Sequence, residues 1–230
     1  MFINGEWCAA AGGKTFEVTN PANGEKITDV PDGGQADAAR AIQSAHDAFA
    51  GWSGMTAYER SGILYKAYEL MSERKEDIAR TMTTEQGKPL RAAINEVQYG
   101  ADFLLWYAEE AKRVYGETIP APRGDQRFIV LHQPVGVVAA VTPWNYPASM
   151  ITRKVAPALA AGCTIVLKPA EATPLCAIEI FKVLEEAGVP EGVANLVTGY
   201  DPKPIGEEFV TNPLVRKITF TGSTETGKLL

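Results

Sequence analysis

The spacing of apolar residues changes twice along the chain, and each change predicts a different kind of structure. Residues 2–31 contain short apolar stretches separated by turn-forming residues, which predicts strands. Residues 36–116 carry apolar side chains every three or four positions, which predicts amphipathic helices. After Pro134, continuous apolar runs of strand length alternate with helical segments. We therefore expect N-terminal strands, a helical layer and a region of alternating strands and helices.

The alternating region predicts a parallel sheet. The expected strands are residues 135–141, 164–167, 194–197 and 217–220, and the expected helices are residues 148–161, 174–187 and 204–210. Strands that are joined through helices run parallel, so the predicted fold class is α/β with a doubly wound parallel sheet. Ligands of such sheets bind beyond the carboxyl ends of the strands, where the candidate functional residues should lie.

Composition and charge exclude several classes of function. The 230 residues are 46% hydrophobic and 22% charged, which is ordinary for a globular protein. Acidic residues (28) outnumber basic ones (22), which argues against nucleic acid as a partner. No apolar run reaches the length of about 18 residues that a membrane span needs. The first residues do not resemble a secretory signal, and the three cysteines lack disulfide or metal-ligand spacing. A cytoplasmic protein without a metal site is expected.

Asn145 follows the first strand of the alternating region, where a helix is expected to begin. Two roles are open for its side chain at this position. It can cap the helix by accepting a backbone N–H, or its amide can donate to a developing oxyanion.

Lys168 and Glu171 follow the second strand. A carboxylate after this strand of a nucleotide-binding sheet accepts hydrogen bonds from the adenosine ribose hydroxyls. Because it also repels a 2′-phosphate, Glu171 favours NAD over NADP. The alternatives are a solvated strand-end charge for Lys168 and an acid at the helix start for Glu171.

A turn that contains glycine follows the fourth strand. Residues 222–229 approach the phosphate-binding pattern GxxxxGK[ST], but Leu229 replaces the hydroxyl residue that would hold Mg²⁺. This weakens the case for nucleoside-triphosphate hydrolysis and leaves backbone amides suited to a pyrophosphate. The dinucleotide fingerprint GxGxxG is absent.

Three motifs, in this order, resemble the aldehyde dehydrogenase superfamily. They are Pro143-Trp144-Asn145, Lys168-Pro169-Ala170-Glu171 and Phe220-Thr221-Gly222-Ser223. The resemblance covers essentially the full chain and includes Glu85-Gln86-Gly87-Lys88-Pro89. Residues 150–154 and 212–217 are most similar to succinate-semialdehyde dehydrogenases. The resemblance implies NAD(P)-dependent oxidation of an aldehyde to a carboxylic acid, with succinate semialdehyde as the expected substrate and NAD as the expected cofactor.

The resemblance also implies a role for each residue at the strand ends. Asn145 would donate its amide to the oxyanion of the thiohemiacetal, and Arg153 would bind the distal carboxylate of the substrate. The alternative for Arg153 is a charge on an exposed helix face. The residues expected to bind the dinucleotide are Val141, Thr142, Pro143, Trp144, Asn145, Lys168, Ala170, Glu171, Gly199, Phe220, Thr221, Gly222, Ser223, Thr226 and Gly227. Near Gly199 the chain departs from the family, because Asp201 stands where many relatives have a second glycine.

The resemblance divides the chain into three segments. Residues 1–120 would form N-terminal strands and a helical layer, residues 121–134 an oligomerisation-type excursion with an exposed strand at 124–133, and residues 135–230 the dinucleotide-binding units. The family's nucleophilic cysteine and general-base glutamate are expected outside this sequence, because no cysteine here matches the nucleophile's motif. The chain is therefore expected to be the N-terminal half of a homo-oligomeric enzyme and inactive alone. A non-catalytic nucleotide-binding module and an interaction module are the alternatives.

Overall fold

The computed structural model describes residues 1–230 and contains ten strands and eight helices. The strands are β1 (Phe2–Ile3), β2 (Glu6–Trp7), β3 (Thr15–Thr19), β4 (Lys26–Pro31), β5 (Glu117–Pro120), β6 (Arg127–Val130), β7 (Val137–Val141), β8 (Thr164–Lys168), β9 (Ala194–Leu196) and β10 (Val215–Phe220). The helices are α1 (Gln35–Gly54), α2 (Ala57–Glu73), α3 (Lys75–Gln86), α4 (Leu90–Ala111), α5 (Ser149–Ala160), α6 (Pro174–Ala187), α7 (Lys203–Thr211) and α8 (Thr224–Leu229). None of these helices combines the length and apolar character needed to cross a bilayer.

The main sheet has six strands in the order β10-β7-β8-β9-β1-β2. The four strands that alternate with helices pair in parallel, which confirms the predicted α/β class. The β1–β2 hairpin extends the sheet in the antiparallel sense, with Phe2 opposite Leu196 of β9. The sheet is therefore mixed, because the N-terminal hairpin occupies the edge beside β9. A separate hairpin pairs β3 with β4.

Helices cover both faces of the sheet. Val138 and Ala140 of β7 pack into the larger core with α2 to α6, whereas Val137 and Ala139 pack on the other face with α1 and α7. Alternate residues of a strand point to opposite faces, so a strand covered on both sides is apolar at every position. This explains the continuous apolar run from which the parallel sheet was predicted.

The segment predicted as one exposed strand at residues 124–133 differs in the structure. Only Arg127–Val130 forms a strand, which pairs with Glu117–Pro120 in an antiparallel ribbon. All eight residues of these two strands are exposed. The apolar pattern marked the right region, but the length of the strand is set by the residues that find a partner in β5. The partner strand lies in the first predicted segment and β6 in the second.

The carboxylate of Glu85 joins α3 to the start of α6. Its side chain is buried, and its two oxygens accept the backbone N–H groups of Leu175 and Cys176, each at 2.7 Å. Burial raises the pKa of Glu85 to about 8, although the two hydrogen bonds act in the opposite direction. The contact between α3 and the start of α6 therefore depends on the protonation state of Glu85.

Replacement of Glu85 by Gln tests this connection. The folded-state pKa is raised, so the folded protein holds this proton more tightly than the unfolded chain between its ordinary value of 4.5 and about 8. The free energy of unfolding should fall as pH rises through this window, by up to about 1.4 kcal/mol per pH unit. Urea unfolding at a series of pH values should show a flatter dependence for Glu85→Gln. The matched control Glu69→Gln, on an exposed position of α2, should keep the wild-type slope. Equal slopes for all three proteins would contradict the assignment.

Candidate functional site

The ends of β10, β7 and β8 meet at one edge of the sheet. The register aligns Phe220 with Val141 and Val141 with Lys168. The backbone pairing continues one residue further, because Thr142 N donates to Lys168 O at 3.2 Å and Thr221 N donates to Val141 O at 3.1 Å. The three loops that carry most of the predicted site residues therefore begin side by side.

Asn145 lies in the loop between β7 and α5, beside the exposed side chain of Trp144. Helix α5 begins at Ser149 and its cap residue is Ala148, so the interpretation of Asn145 as the helix cap is wrong. The Asn145 side chain is exposed and makes no hydrogen bond within the chain. Its amide is free to donate to a ligand at this edge.

Three side chains from α3, α4 and the segment between them hold this loop. Gln86 Nε2 donates to the carbonyl oxygens of Trp144 and Asn145, each at 2.9 Å. Lys88 Nζ donates to the Asn145 carbonyl at 2.9 Å and pairs with the carboxylate of Glu96. No role for these three residues was predicted. The one sequence signal was the motif that contains Gln86 and Lys88, which was recognised only as part of the family resemblance.

Lys168 is buried at the end of β8, with 3% of its surface exposed. The interpretation of a solvated charge is therefore wrong. Burial lowers the pKa of Lys168, while the nearby carboxylate of Glu171, at 3.6 Å, partly restores it. The Glu171 side chain keeps 44% of its surface exposed. Helix α6 begins only at Pro174, so Glu171 does not lie in its first turn. The buried Ala170 lies between the two charged residues.

The turn after β10 is packed against the ring of Phe220. A Cβ atom at Gly222 would lie 2.5 Å from this ring, and one at Gly227 would lie 3.1 Å from it. Ser223 is the N-cap of α8, and its Oγ accepts the backbone N–H of Thr226 at 3.2 Å. Glycine at position 222 is thus needed for the close approach of the ring to the turn.

Gly199 lies beyond β9, where the backbone approaches another segment. A Cβ atom there would lie 2.6 Å from the Gly33 carbonyl oxygen and 2.7 Å from Ile205. This packing accounts for a glycine at position 199, and the contact of Gly199 with the cofactor stays a prediction.

Arg153 lies on the exposed face of α5 and contacts two aromatic residues of α4. Its guanidinium lies 4.9 Å from the centroid of the Phe103 ring and donates to the Tyr99 hydroxyl at 2.9 Å. It forms no ion pair within the chain, so its remaining N–H groups are available to a carboxylate. The exposed position fits the alternative of a charge on a helix face, and the aromatic contacts orient the guanidinium.

Lys154, the next residue, was not predicted as part of the site. It is buried, and its Nζ donates to the hydroxyl of Thr221 at 2.7 Å. Burial lowers the pKa of Lys154, and Arg153 lowers it further. This lysine connects α5 to the loop after β10.

The three cysteines are free and lie in different surroundings. Cys163 is buried immediately before β8, at the amino edge of the parallel strands and therefore opposite the candidate site. Cys176 is completely buried in α6, and burial raises its pKa well above the ordinary value. Cys8 is partly exposed and lies 3.4 Å from Arg40 of α1. A nucleophilic thiol must be accessible to its substrate, and neither buried thiol is.

The profile of the aldehyde dehydrogenase family matches residues 7–230. A glutarate-semialdehyde dehydrogenase of Pseudomonas putida is 55% identical over 100% of this chain and 48% of its own length. An NADP(+) succinate-semialdehyde dehydrogenase of Escherichia coli is 54% identical over 99% of this chain and 47% of its own length. The chain therefore spans about half the length of these relatives.

Solved structures agree with this family match. The crystal structure of an NADP-dependent enzyme of Escherichia coli has a TM-score of 0.98 and 53% identity, and covers 99% of this chain and 47% of the other. A betaine aldehyde dehydrogenase of Staphylococcus aureus in complex with NAD+ has a TM-score of 0.96 and 37% identity, with the same coverage of 99% and 47%.

The reactivity of the thiols follows from their burial. In the native protein Cys8 should react with a chromogenic disulfide reagent, whereas Cys163 and Cys176 should react only after unfolding. Cys8→Ser should abolish the reaction of the native protein and leave the reaction of the two buried thiols after unfolding unchanged. Fast native modification of Cys176, identified by peptide mass, would contradict this description.

Proposed function

The chain belongs to the aldehyde dehydrogenase family, and we propose that it is the cofactor-binding half of an enzyme that oxidises succinate semialdehyde to succinate with NAD(P). The observation that carries this proposal is the common edge of β10, β7 and β8. There the free amide of Asn145 lies beside two loops whose groups suit a dinucleotide.

The donor groups at this edge fit a dinucleotide. Lys168 and Glu171 supply an ammonium and a half-exposed carboxylate for the ribose hydroxyls. Gly222 and Ser223 supply backbone for the pyrophosphate, and Thr142 to Trp144 border the nicotinamide. When bound, the dinucleotide accepts a hydride from the substrate.

The preference between NAD and NADP is the finer part of this proposal. The exposed carboxylate of Glu171 supports NAD, because it would repel a 2′-phosphate. The names of the relatives from Escherichia coli and Sinorhizobium fredii specify NADP(+), so a direct comparison of the two dinucleotides is the test of this preference.

Asn145 and Arg153 would act on the two ends of the substrate. The amide of Asn145 would donate to the oxygen of the aldehyde carbon as it becomes negatively charged, which lowers the barrier of the addition step. Arg153 would bind the distal carboxylate, which both succinate semialdehyde and glutarate semialdehyde possess. The absence of an internal ion partner for Arg153 supports this assignment.

The nucleophile and the general base are proposed to lie outside residues 1–230. Cys163 and Cys176 are buried, and Cys8 lies beside Arg40 rather than in the loops of the candidate site. The chain alone would then bind the cofactor without turnover. We also propose a homo-oligomer in the cytoplasm, supported by the exposed apolar ribbon of β5 and β6 and by the free thiols.

Titration calorimetry tests the cofactor site. The chain should bind NAD more tightly than NADP, and Glu171→Gln should weaken NAD binding roughly tenfold or more, as expected for lost hydrogen bonds to a charged group. The same change should reduce the discrimination against NADP. Glu207→Gln, an exposed carboxylate of α7, is the matched control and should bind like wild type. Tighter binding of NADP by the wild type would overturn the NAD preference, and binding of neither would overturn the cofactor site.

Turnover measurements test the proposed substrate. They also test the proposal that the nucleophile and the general base lie outside residues 1–230. Residues 1–230 with cofactor and succinate semialdehyde should give no sustained, thiol-dependent increase in nicotinamide absorbance. In an active protein that contains these residues, Arg153→Leu should lower kcat/KM for succinate semialdehyde by roughly 10- to 100-fold, because a charged hydrogen-bond partner is lost. Its effect on butanal should be small. Equal losses for both aldehydes would argue against binding of the carboxylate by Arg153.

A further inference from the structure

We infer that Lys88 is a positioning residue that, together with Gln86 and Glu96, fixes the direction of the Asn145 side chain. This inference rests on the proposed role of Asn145 as the oxyanion donor. Lys88 contacts the backbone of Asn145 and not its amide, so it would act through Asn145 rather than on the substrate.

The three side chains hold the loop at its middle and at its junction with α5. Gln86 and Lys88 bind the carbonyl oxygens at residues 144 and 145. Glu96 accepts the backbone N–H groups of Ala148 and Ser149, at 3.0 and 3.4 Å. When the peptide planes on both sides of Asn145 and at the start of α5 are held, the Cα–Cβ direction of Asn145 is held with them.

Lys88 connects the middle of the loop to the group that holds the start of α5. Its ammonium pairs with the carboxylate of Glu96, donates to the Asn145 carbonyl, and lies 4.2 Å from the ring centroid of Tyr146. Glu96 is buried, and removing one partner of a buried ion pair is strongly destabilising because it leaves the other charge uncompensated. Loss of Lys88 would therefore free the Asn145 carbonyl and disturb the group that holds the start of α5.

Gln86 adds an independent reason to assign a positioning role. Both of its donor bonds go to the loop, while its Oε1 is buried without a hydrogen-bond partner. A buried oxygen without a partner costs folding free energy, so this arrangement is not what stability alone would favour. It does hold two consecutive carbonyl groups next to the exposed amide of Asn145.

The sequence permits a direct measurement of these two carbonyl groups. Trp144–Asn145 is the only Trp-Asn pair in the chain and Asn145–Tyr146 the only Asn-Tyr pair. Labelling the carbonyl carbon of the first residue and the amide nitrogen of the second therefore gives one NMR signal for each carbonyl. Since a hydrogen bond deshields a carbonyl carbon, loss of a donor moves its signal upfield.

Lys88→Met should move the Asn145 signal upfield and leave the Trp144 signal in place. Lys88→Arg, which keeps a charged donor, should leave both signals at their wild-type positions. Gln86→Leu should move both signals. Because Gln86 is uncharged, this variant leaves no buried charge without a partner, and it replaces Lys88→Met in the experiment if Lys88→Met does not fold. The matched control is Lys66→Met on the exposed face of α2, which should move neither. A loss of thermal stability with both carbonyl signals unmoved would overturn the inference.

A double-mutant cycle tests the positioning role in an active protein that contains residues 1–230. Lys88→Met should lower kcat roughly 10- to 100-fold with little change in KM, as expected when an oxyanion donor is misplaced. Combined with Asn145→Ala, it should have almost no further effect. Independent, multiplying losses would overturn the inference. If Asn145→Ala alone left kcat unchanged, the proposed role of Asn145 would fail, while the carbonyl signals would still report whether Lys88 holds the loop.

Discussion

The in-register parallel pairing of β10, β7 and β8 sets the relative positions of the three loops that carry most of the candidate site. Because Phe220, Val141 and Lys168 are aligned, segments from distant parts of the sequence leave the sheet side by side. A slip of one residue would exchange the side chains that face the two helical layers, so the two cores hold the register. Burial that stabilises the sheet thus also determines the geometry of the site.

Two buried carboxylates extend this geometry to the helices that follow β7 and β8. Glu96 accepts backbone N–H groups at the start of α5, and Glu85 accepts them at the start of α6. Neither Ala148 nor Thr173 caps its helix with a side-chain hydrogen bond. The unpaired N–H groups of a helix start need acceptor oxygens, which here come from the neighbouring helical layer. The loops of the site are consequently attached to α3 and α4 as well as to the sheet.

Elements with strong local signals were predicted closely from the sequence. Helix α6 was expected at residues 174–187 and occupies Pro174–Ala187. Proline in the first turn and Gly188 in a left-handed conformation after the last turn mark its ends, and both effects act within a few residues. Asn145 shows the limit of such reasoning. Its residue type and position predicted a local helix cap. In the structure the backbone N–H of Ala148 at this helix start donates instead to the carboxylate of Glu96, 52 residues away.

The sequence by itself determined the α/β class, the alternation of strands and helices after Pro134 and the motifs that identify the family, because periodicity, turn residues and short motifs act over short distances. Only the tertiary structure decided that the N-terminal hairpin joins the sheet, that Lys168 is buried and that Gln86, Lys88 and Glu96 hold the Asn145 loop. These contacts join residues far apart in the chain. Their partners are set by how the helical layer packs on the sheet, and no local pattern encodes that packing.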